Sequence, residues 1–163
     1  MNQTQIKVAL ITGGGTGIGR SAAIALQNDN FNVIICGRRK EQLEETASIG
    51  ATDKPKIRAI VADVTDSSSV KSVFAEIEKN YGRLDVLFNN AGMGAPRVEL
   101  DELSEEAWCQ CVDVNLTGSF LCAQAAFKIM KSQSPQGGRI INNGSISAHS
   151  PRPNTIAYTA TKH

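Results

Sequence analysis

The residues best suited to chemistry lie near the end of the printed sequence. Tyr158 and Lys162 are one helical turn apart, so on a helix they would share a face. A phenol has a reference pKa of about 10 and is a weak base at neutral pH, but a neighbouring ammonium group favours its phenolate form. A tyrosine in that setting can donate a proton to a carbonyl oxygen or accept one from an alcohol. Because this pair alone occurs on many helices, its interpretation depends on the motifs that accompany it.

A glycine-rich segment near the other end of the chain predicts a site for a pyrophosphate group. The segment TGGGTGIGR, residues 12–20, directly follows a short apolar run. Glycines permit a tight turn and close backbone approach, and a helix that begins there offers free N–H groups and the positive end of its dipole. The usual GxGxxG pattern is not literally present, because Gly13, Gly17 and Gly19 form a TGxxxGxG pattern instead. An ordinary glycine-rich turn is the alternative interpretation of this segment.

The residues after the second predicted strand bear on which dinucleotide would bind. A carboxylate there would hydrogen-bond the ribose 2′-OH of NAD(H), whereas an arginine accommodates the 2′-phosphate of NADP(H). This sequence has Arg38 and Arg39 and no carboxylate before Glu41. We therefore favour NADP(H), with NAD(H) as the alternative. The two arginines are also compatible with a plain solvated helix start.

The elements that must position these residues follow from an alternation of apolar runs and amphipathic segments. Strands are predicted at 7–11, 32–36, 57–62, 84–88 and 139–142, and helices at 17–28, 40–49 and from about 67. The segment 104–132 is mostly helix-forming but is interrupted at Asn115 and Gly118, and a last helix is predicted after Pro153. This alternation, with continuously apolar strands, predicts a parallel sheet buried by helices on both faces. The fold class is therefore α/β, a doubly wound parallel sheet of the Rossmann type, in one domain over residues 1–163.

The composition argues against several other classes of protein. The net charge is +1, with 41% hydrophobic and 20% charged residues, so no basic excess predicts nucleic-acid binding. No apolar run approaches the length of a membrane span, and the first residues lack the layout of a signal peptide, so we expect a cytoplasmic protein that does not bind a membrane. The four cysteines form no CxxC motif and the two histidines lie apart from them. We expect free thiols and no metal site.

Taken together, the motifs resemble those of the classical short-chain dehydrogenase/reductase family. They occur in the family's order and spacing over nearly the whole chain. The matching segments are TGGGTGIG at 12–19, Asp63-Val64, NNAG at 89–92, Asn115 in the segment VNL, Ser145, and Tyr158 with Lys162.

The resemblance implies a role in catalysis for four residues. Tyr158 would be the acid/base, and Lys162 would favour its phenolate form and hold the nicotinamide ribose. Ser145 would hydrogen-bond the substrate oxygen, with Ser147 as the alternative that fits the spacing to Tyr158 less well. Asn115 would hold a water in a proton relay, and we expect the helix interruption to leave a backbone carbonyl free for that water.

The resemblance also implies a set of cofactor-binding residues. Asp63 and Val64 would contact the adenine, and Asn90 would line the cofactor groove. Thr16 stands where many NADP(H)-preferring members carry a basic residue, which weakens the preference for NADP(H) without reversing it. The full set is Gly13, Thr16, Gly17, Ile18, Gly19, Arg38, Asp63, Val64, Asn90, Tyr158 and Lys162.

The implied function is the interconversion of a carbonyl and a secondary alcohol in a small-molecule substrate that the sequence does not identify. An inactive cofactor-binding sensor or scaffold is the alternative. An epimerase or dehydratase on the same scaffold is less favoured, because such relatives usually lack the serine at strand five.

Two expectations about the whole protein also follow from the resemblance. Family members are often homotetramers or homodimers that pair the long helix, where Leu121, Ala125 and Met130 would either serve that pairing or face the sheet. Members are also longer than this chain, so we interpret the printed sequence as truncated after the fifth strand and the start of the catalytic helix. Strand five would then be an exposed apolar sheet edge.

Overall fold

The computed structural model describes residues 6–163 and places its strands in one parallel sheet. The strand order is β3-β2-β1-β4-β5, and every adjacent pair is parallel. The strands are β1 (Val8–Thr12), β2 (Asn32–Gly37), β3 (Arg58–Val61), β4 (Val86–Asn89) and β5 (Arg139–Asn142). Residues 1–5, which bear on the expectation that a signal peptide is lacking, lie outside the described residues.

Helices cover both faces of this sheet, as the alternation of the sequence predicts. One face of β1 and β2 packs with Ala23 and Leu43 of the first two helices, and the opposite face packs with residues such as Phe74 and Ala126 of later helices. The helices are α1 (Gly17–Asn28), α2 (Lys40–Ile49), α3 (Ser67–Tyr81), α4 (Glu105–Val112), α5 (Gly118–Ser132) and α6 (Ile156–Lys162). The predicted fold class, a doubly wound parallel α/β sheet, is confirmed.

Burial differs between the central and the outer strands. All of β1 and the middle of β2 are buried, as continuously apolar strands predict. In contrast, β3 and β5 are only partly covered, and the Ile141 side chain is exposed. The expectation of burial on both faces therefore fails for these two strands, because they lie at the ends of the strand order in the described part of the chain.

The predicted interruption of the long helix is a widening of the helix rather than a break. A π-helical turn over Asp113–Thr117 joins α4 to α5, so the helical backbone continues through Asn115. Gly118 follows this turn, and a Cβ atom built there would lie only 2.7 Å from Cγ2 of Val64. The glycine therefore serves the close approach of the helix to the segment after β3.

The apolar side chains of α5 divide between the core and the surface. Leu121 and Ala125 pack against the core, and Met130 is buried within it. These three residues therefore face the sheet side of the helix. The exposed apolar residues of the same helical segment are Leu116, Phe120 and Phe127.

The cysteines are free thiols, and three of them are buried. Cys36, Cys111 and Cys122 lie in the interior, whereas Cys109 is exposed. Burial raises the pKa of the Cys122 thiol to about 12, so this thiol stays protonated at neutral pH. Within residues 6–163, no helix is both long and apolar enough to cross a membrane.

Candidate active site

The glycine-rich segment forms a tight loop between β1 and α1. Gly13 and Gly17 have φ angles of +66° and +52°, a conformation that favours glycine. A Cβ atom on Gly19 would lie 2.3 Å from the carbonyl oxygen of Gly13, so the helix packs directly on the loop. The N-cap residue Thr16 makes no side-chain hydrogen bond to the first turn of α1. The N–H groups of that turn are therefore available to an anion at the positive end of the helix dipole.

Arg20 fixes this loop from its far side, a role that the sequence analysis missed. Its guanidinium donates to the carbonyl oxygen of Gly15 at 2.8 Å and pairs with Glu45 of α2 at 2.8 Å. The Thr46 hydroxyl also donates to the Gly15 carbonyl, at 3.0 Å. The hydrogen bond from Arg20 lowers the pKa of the Glu45 carboxyl. The loop is thus held to α2 by side chains that do not enter the candidate site.

The loop forms one wall of an open cleft at the carboxyl end of the strands. Arg38 lies at its rim, exposed and without an ion pair to any carboxylate within residues 6–163. Five of the predicted cofactor-binding residues line this cleft: Gly13, Thr16, Arg38, Asp63 and Val64.

The remaining predicted cofactor residues lie beside the cleft rather than in its wall. Gly17, Ile18 and Gly19 belong to the first turn of α1, with Ile18 exposed and Gly19 buried against the loop. Tyr158 and Lys162 lie on α6. The residues Ala91, Gly92, Met93 and Val114 line the cleft without having been predicted.

Asn90 faces the interior of the structure. Its side-chain amide donates to the carbonyl oxygen of Thr12 at 2.9 Å and to that of Gly13 at 3.3 Å. Its Oδ1 atom accepts a hydrogen bond from the Nδ2 atom of Asn143 at 3.0 Å. The carbonyl of Asn143 in turn accepts from Nζ of Lys162 at 2.8 Å. A continuous series of hydrogen bonds therefore joins the glycine loop to the candidate catalytic lysine.

Thr12 supports the same region from the end of β1. Its buried hydroxyl oxygen accepts hydrogen bonds from the backbone N–H groups of Asn90 at 3.0 Å and Ala91 at 2.9 Å. The segment after β4 thereby stays close to the loop after β1. Thr12 was not among the site residues predicted from the sequence.

Asn115 is buried and uses its side chain to join three elements. Its Oδ1 accepts from the N–H of Met93 at 2.8 Å, and its Nδ2 donates to the Met93 carbonyl and to the Thr161 hydroxyl, each at 2.9 Å. Its own carbonyl is not free as expected, because the Ser119 hydroxyl donates to it at 2.9 Å.

Ser145 and Tyr158 line the same cavity, which has a volume of about 360 Å³. The Oγ atom of Ser145 accepts a hydrogen bond from the N–H of Ser147 at 3.1 Å, which leaves its hydroxyl hydrogen able to donate elsewhere. Ser147 also lines the cavity but is buried. Nζ of Lys162 lies 5.8 Å from the centre of the Tyr158 ring. The structure thus brings together the hydroxyl groups and the ammonium group that the sequence singled out.

The sequence as a whole matches the family model described as short chain dehydrogenase over residues 7–163. The chain belongs to this family. It is 34% identical over 163 residues to a 3beta-hydroxysteroid dehydrogenase of Mediterraneibacter gnavus, a match that covers all of this chain and 58% of that protein.

Solved structures of family members have the same fold. An actinorhodin polyketide ketoreductase variant with NADPH superposes with a TM-score of 0.91 at 30% identity, covering 100% of this chain and 62% of that one. A 3-ketoacyl-(acyl-carrier-protein) reductase from Brucella melitensis complexed with NADH superposes with a TM-score of 0.89 at 31% identity, covering 96% of this chain and 64% of that one. The chain therefore spans about three fifths of the length of these relatives.

The support that Thr12 gives to the segment after β4 is testable by removing its hydroxyl. Thr12→Val keeps the side-chain shape but leaves two partly buried N–H groups without an acceptor, at an expected cost of about 1 kcal/mol in the free energy of unfolding. Urea unfolding of the protein measures this change. Thr12→Ser, which keeps the acceptor, should be less destabilised than Thr12→Val, and Thr52→Val at an exposed position should have little effect. Equal stability of the valine and serine variants at position 12 would contradict this role.

Proposed function

We propose that this chain is the cofactor-binding and proton-transferring part of an NAD(P)(H)-dependent oxidoreductase that interconverts a carbonyl and a secondary alcohol. The observation that carries the proposal is the shared cavity of Ser145 and Tyr158, with Lys162 beside the tyrosine ring. Ketoreductase and reductase relatives that bind NADPH or NADH support the same class of reaction. An inactive cofactor-binding protein is the alternative.

The two hydroxyl groups have complementary tasks in this proposal. In the reductive direction, Tyr158 donates its phenolic proton to the carbonyl oxygen of the substrate, and in the oxidative direction it accepts the alcohol proton. Ser145 donates a hydrogen bond to the same oxygen, which keeps that atom within reach of the phenol. Because the Ser147 N–H fixes Oγ of Ser145, this donor is oriented before substrate binds.

Lys162 lies beside the phenol ring of Tyr158, with its Nζ 5.8 Å from the ring centre. Its Nζ already donates to the Asn143 carbonyl, so its position is set by the end of β5. We propose that the relay water binds beside Asn115, whose buried side chain joins the segment after β4 to Thr161 of α6. We propose that protons reach Tyr158 along this route.

The residues of the open cleft fit a nicotinamide dinucleotide. The glycine loop offers backbone N–H groups to the pyrophosphate, and Asp63 and Val64 line the end of the cleft proposed for the adenine. Gly17, Ile18 and Gly19 contribute the first turn of α1, while Asn90 positions the loop rather than the ligand. When bound, the nicotinamide supplies the hydride, and the protein supplies orientation and proton transfer.

The role of Tyr158 is testable by removing only its hydroxyl group. Tyr158→Phe should lower kcat for carbonyl reduction by about a hundredfold or more, because the proton donor is lost while the ring remains. Steady-state kinetics together with fluorescence titration of NADPH separate turnover from cofactor binding. Tyr81→Phe, at the end of α3, is the matched control and should leave kcat unchanged. Native protein that binds NADPH but reduces no carbonyl compound would favour the inactive alternative.

We propose that the cofactor is NADP(H) rather than NAD(H). Arg38 supports this preference, since it lies at the cleft rim, exposed and unpaired with any carboxylate in the described part of the chain. A guanidinium in that place matches the geometry of a 2′-phosphate. Relatives that bind NADPH and NADH leave both cofactors open at the level of the family.

Removing Arg38 should change the ratio of the two affinities. We expect Arg38→Ala to weaken NADPH binding by about tenfold or more, the value of one charged hydrogen bond, while NADH binding stays nearly constant. Fluorescence titration of both cofactors measures the ratio, and Arg139→Ala on β5 controls for the loss of one positive charge. Equal losses for NADPH and NADH would contradict a contact with the 2′-phosphate.

We also propose that the protein forms a homodimer or homotetramer through its long helix. Phe120 and Phe127 are 59% and 62% exposed, and Leu116 lies on the same side of the helix. A contiguous apolar face of this kind is typical of a surface that packs against another protein chain.

A charge in this face should disrupt the assembly. We expect Phe120→Glu to lower the mass in solution toward that of one chain, because a buried carboxylate without a partner is strongly unfavourable. Size-exclusion chromatography with light scattering measures the mass. Gln136→Glu, in the exposed segment before β5, should not change it. A monomeric native protein would contradict the proposal.

A further inference from the structure

Two arginines line the cavity that contains the proposed catalytic hydroxyl groups. Arg97 comes from the segment after β4, and Arg152 comes from the segment before α6. These segments are far apart in sequence, so both arginines line one cavity only because the fold brings the two segments to the carboxyl end of the sheet. No carboxylate lines the same cavity.

Neither arginine has an internal charge partner that would explain its position. Arg97 and Arg152 form no ion pair within residues 6–163, and both are exposed. In contrast, Arg20, Arg58 and Arg83 each pair with a carboxylate. Two unpaired positive charges at one cavity, close to the place where a substrate oxygen would bind, favour an anionic ligand.

The local backbone restricts where the Arg152 side chain can lie. Arg152 stands between Pro151 and Pro153, and proline limits the conformation of its own backbone and that of the residue before it. The Arg152 carbonyl also accepts a hydrogen bond from the Thr155 hydroxyl at 2.7 Å. Arg152 is therefore carried on constrained backbone, which lowers the entropy lost on binding a ligand.

We propose that the substrate is a small carbonyl or hydroxyl compound that carries a carboxylate, bound by Arg97 and Arg152 while Ser145 and Tyr158 hold its reacting oxygen. Guanidinium groups bind carboxylates through paired, charge-assisted hydrogen bonds, which makes arginine well suited to this task. The inference rests on the proposed oxidoreductase function, since it assigns the other end of the same substrate. It makes Arg97 and Arg152 specificity-determining residues.

The test compares keto acids with their uncharged esters as substrates of the native protein. Acetoacetate and levulinate are the acidic probes, methyl acetoacetate and methyl levulinate are the neutral ones, and dihydroxyacetone phosphate tests a phosphate in place of the carboxylate. We expect kcat/KM to favour at least one acid over its ester by about tenfold or more, mainly through KM. Arg97→Gln and Arg152→Gln should each remove most of that preference, because they lower kcat/KM for the acid much more than for the ester. Arg139→Gln is the matched control.

Several results would overturn the inference. Equal or better use of the esters by the native protein would exclude a carboxylate contact. A preference for the phosphate compound over both acids would indicate that the arginines bind a phosphate and not a carboxylate. Equal losses for acid and ester in the arginine variants would indicate a structural role.

A binding measurement separates this inference from the proposed function. Calorimetric titration of Tyr158→Phe, in the presence of NADPH, with each acid and its ester reports the arginine contacts without any turnover. Tighter binding of the acid that disappears on adding Arg152→Gln supports the inference even where the native protein shows no reductase activity. Failure of either acid to bind more tightly than its ester would overturn the inference, whatever the activity of the native protein.

Discussion

The side chain of Asn90 is the contact on which the geometry of the candidate site depends. A parallel sheet ends with backbone carbonyl groups at its carboxyl edge, and buried groups of this kind must find hydrogen-bond partners. The Asn90 amide donates hydrogen bonds to the carbonyl groups of Thr12 and Gly13. Its Oδ1 atom accepts a hydrogen bond from the Asn143 side chain. The hydrogen bonds that satisfy the strand ends therefore also set the spacing between the glycine loop, the segment after β4 and the end of β5. The end of β5 in turn sets the position of Lys162, because the Asn143 carbonyl accepts a hydrogen bond from its Nζ atom.

Close packing adds a second constraint, which acts mainly on the glycine loop. Gly19 lies so close to the carbonyl of Gly13 that any side chain there would displace one of the two. Arg20 and Thr46 meanwhile occupy the Gly15 carbonyl from the side of α2. The loop is thus shaped by contacts on both sides, and its free N–H groups remain on the side of the open cleft. A rigid loop of this kind presents an anion site without further ordering.

The sequence predicted the features that depend on local pattern. Strand and helix order and the parallel sheet follow from periodicity. The sequence implied the proximity of Ser145 and Tyr158 only through its resemblance to the family. It did not predict the contact between Arg20 and Gly15, the inward direction of Asn90, or the convergence of Arg97 and Arg152. Each of these joins side chains whose distances depend on how whole elements pack, and no periodicity records that packing. The interruption near Asn115 was visible, but its form as a wider helical turn was not.

The π-helical turn over Asp113–Thr117 changes the direction in which side chains point along the long helix, so α4 and α5 do not continue one regular helical repeat. One extra residue in a turn rotates everything after it by about 100° relative to a regular helix. Before and within the turn, Cys111 and Asn115 are directed toward Thr161 of α6. After it, Cys122 and Ala126 are directed into the core beneath the sheet. Loss of a single residue in this turn would therefore move one set of side chains out of register with its neighbours, so the length of the turn constrains both ends of the helix at once.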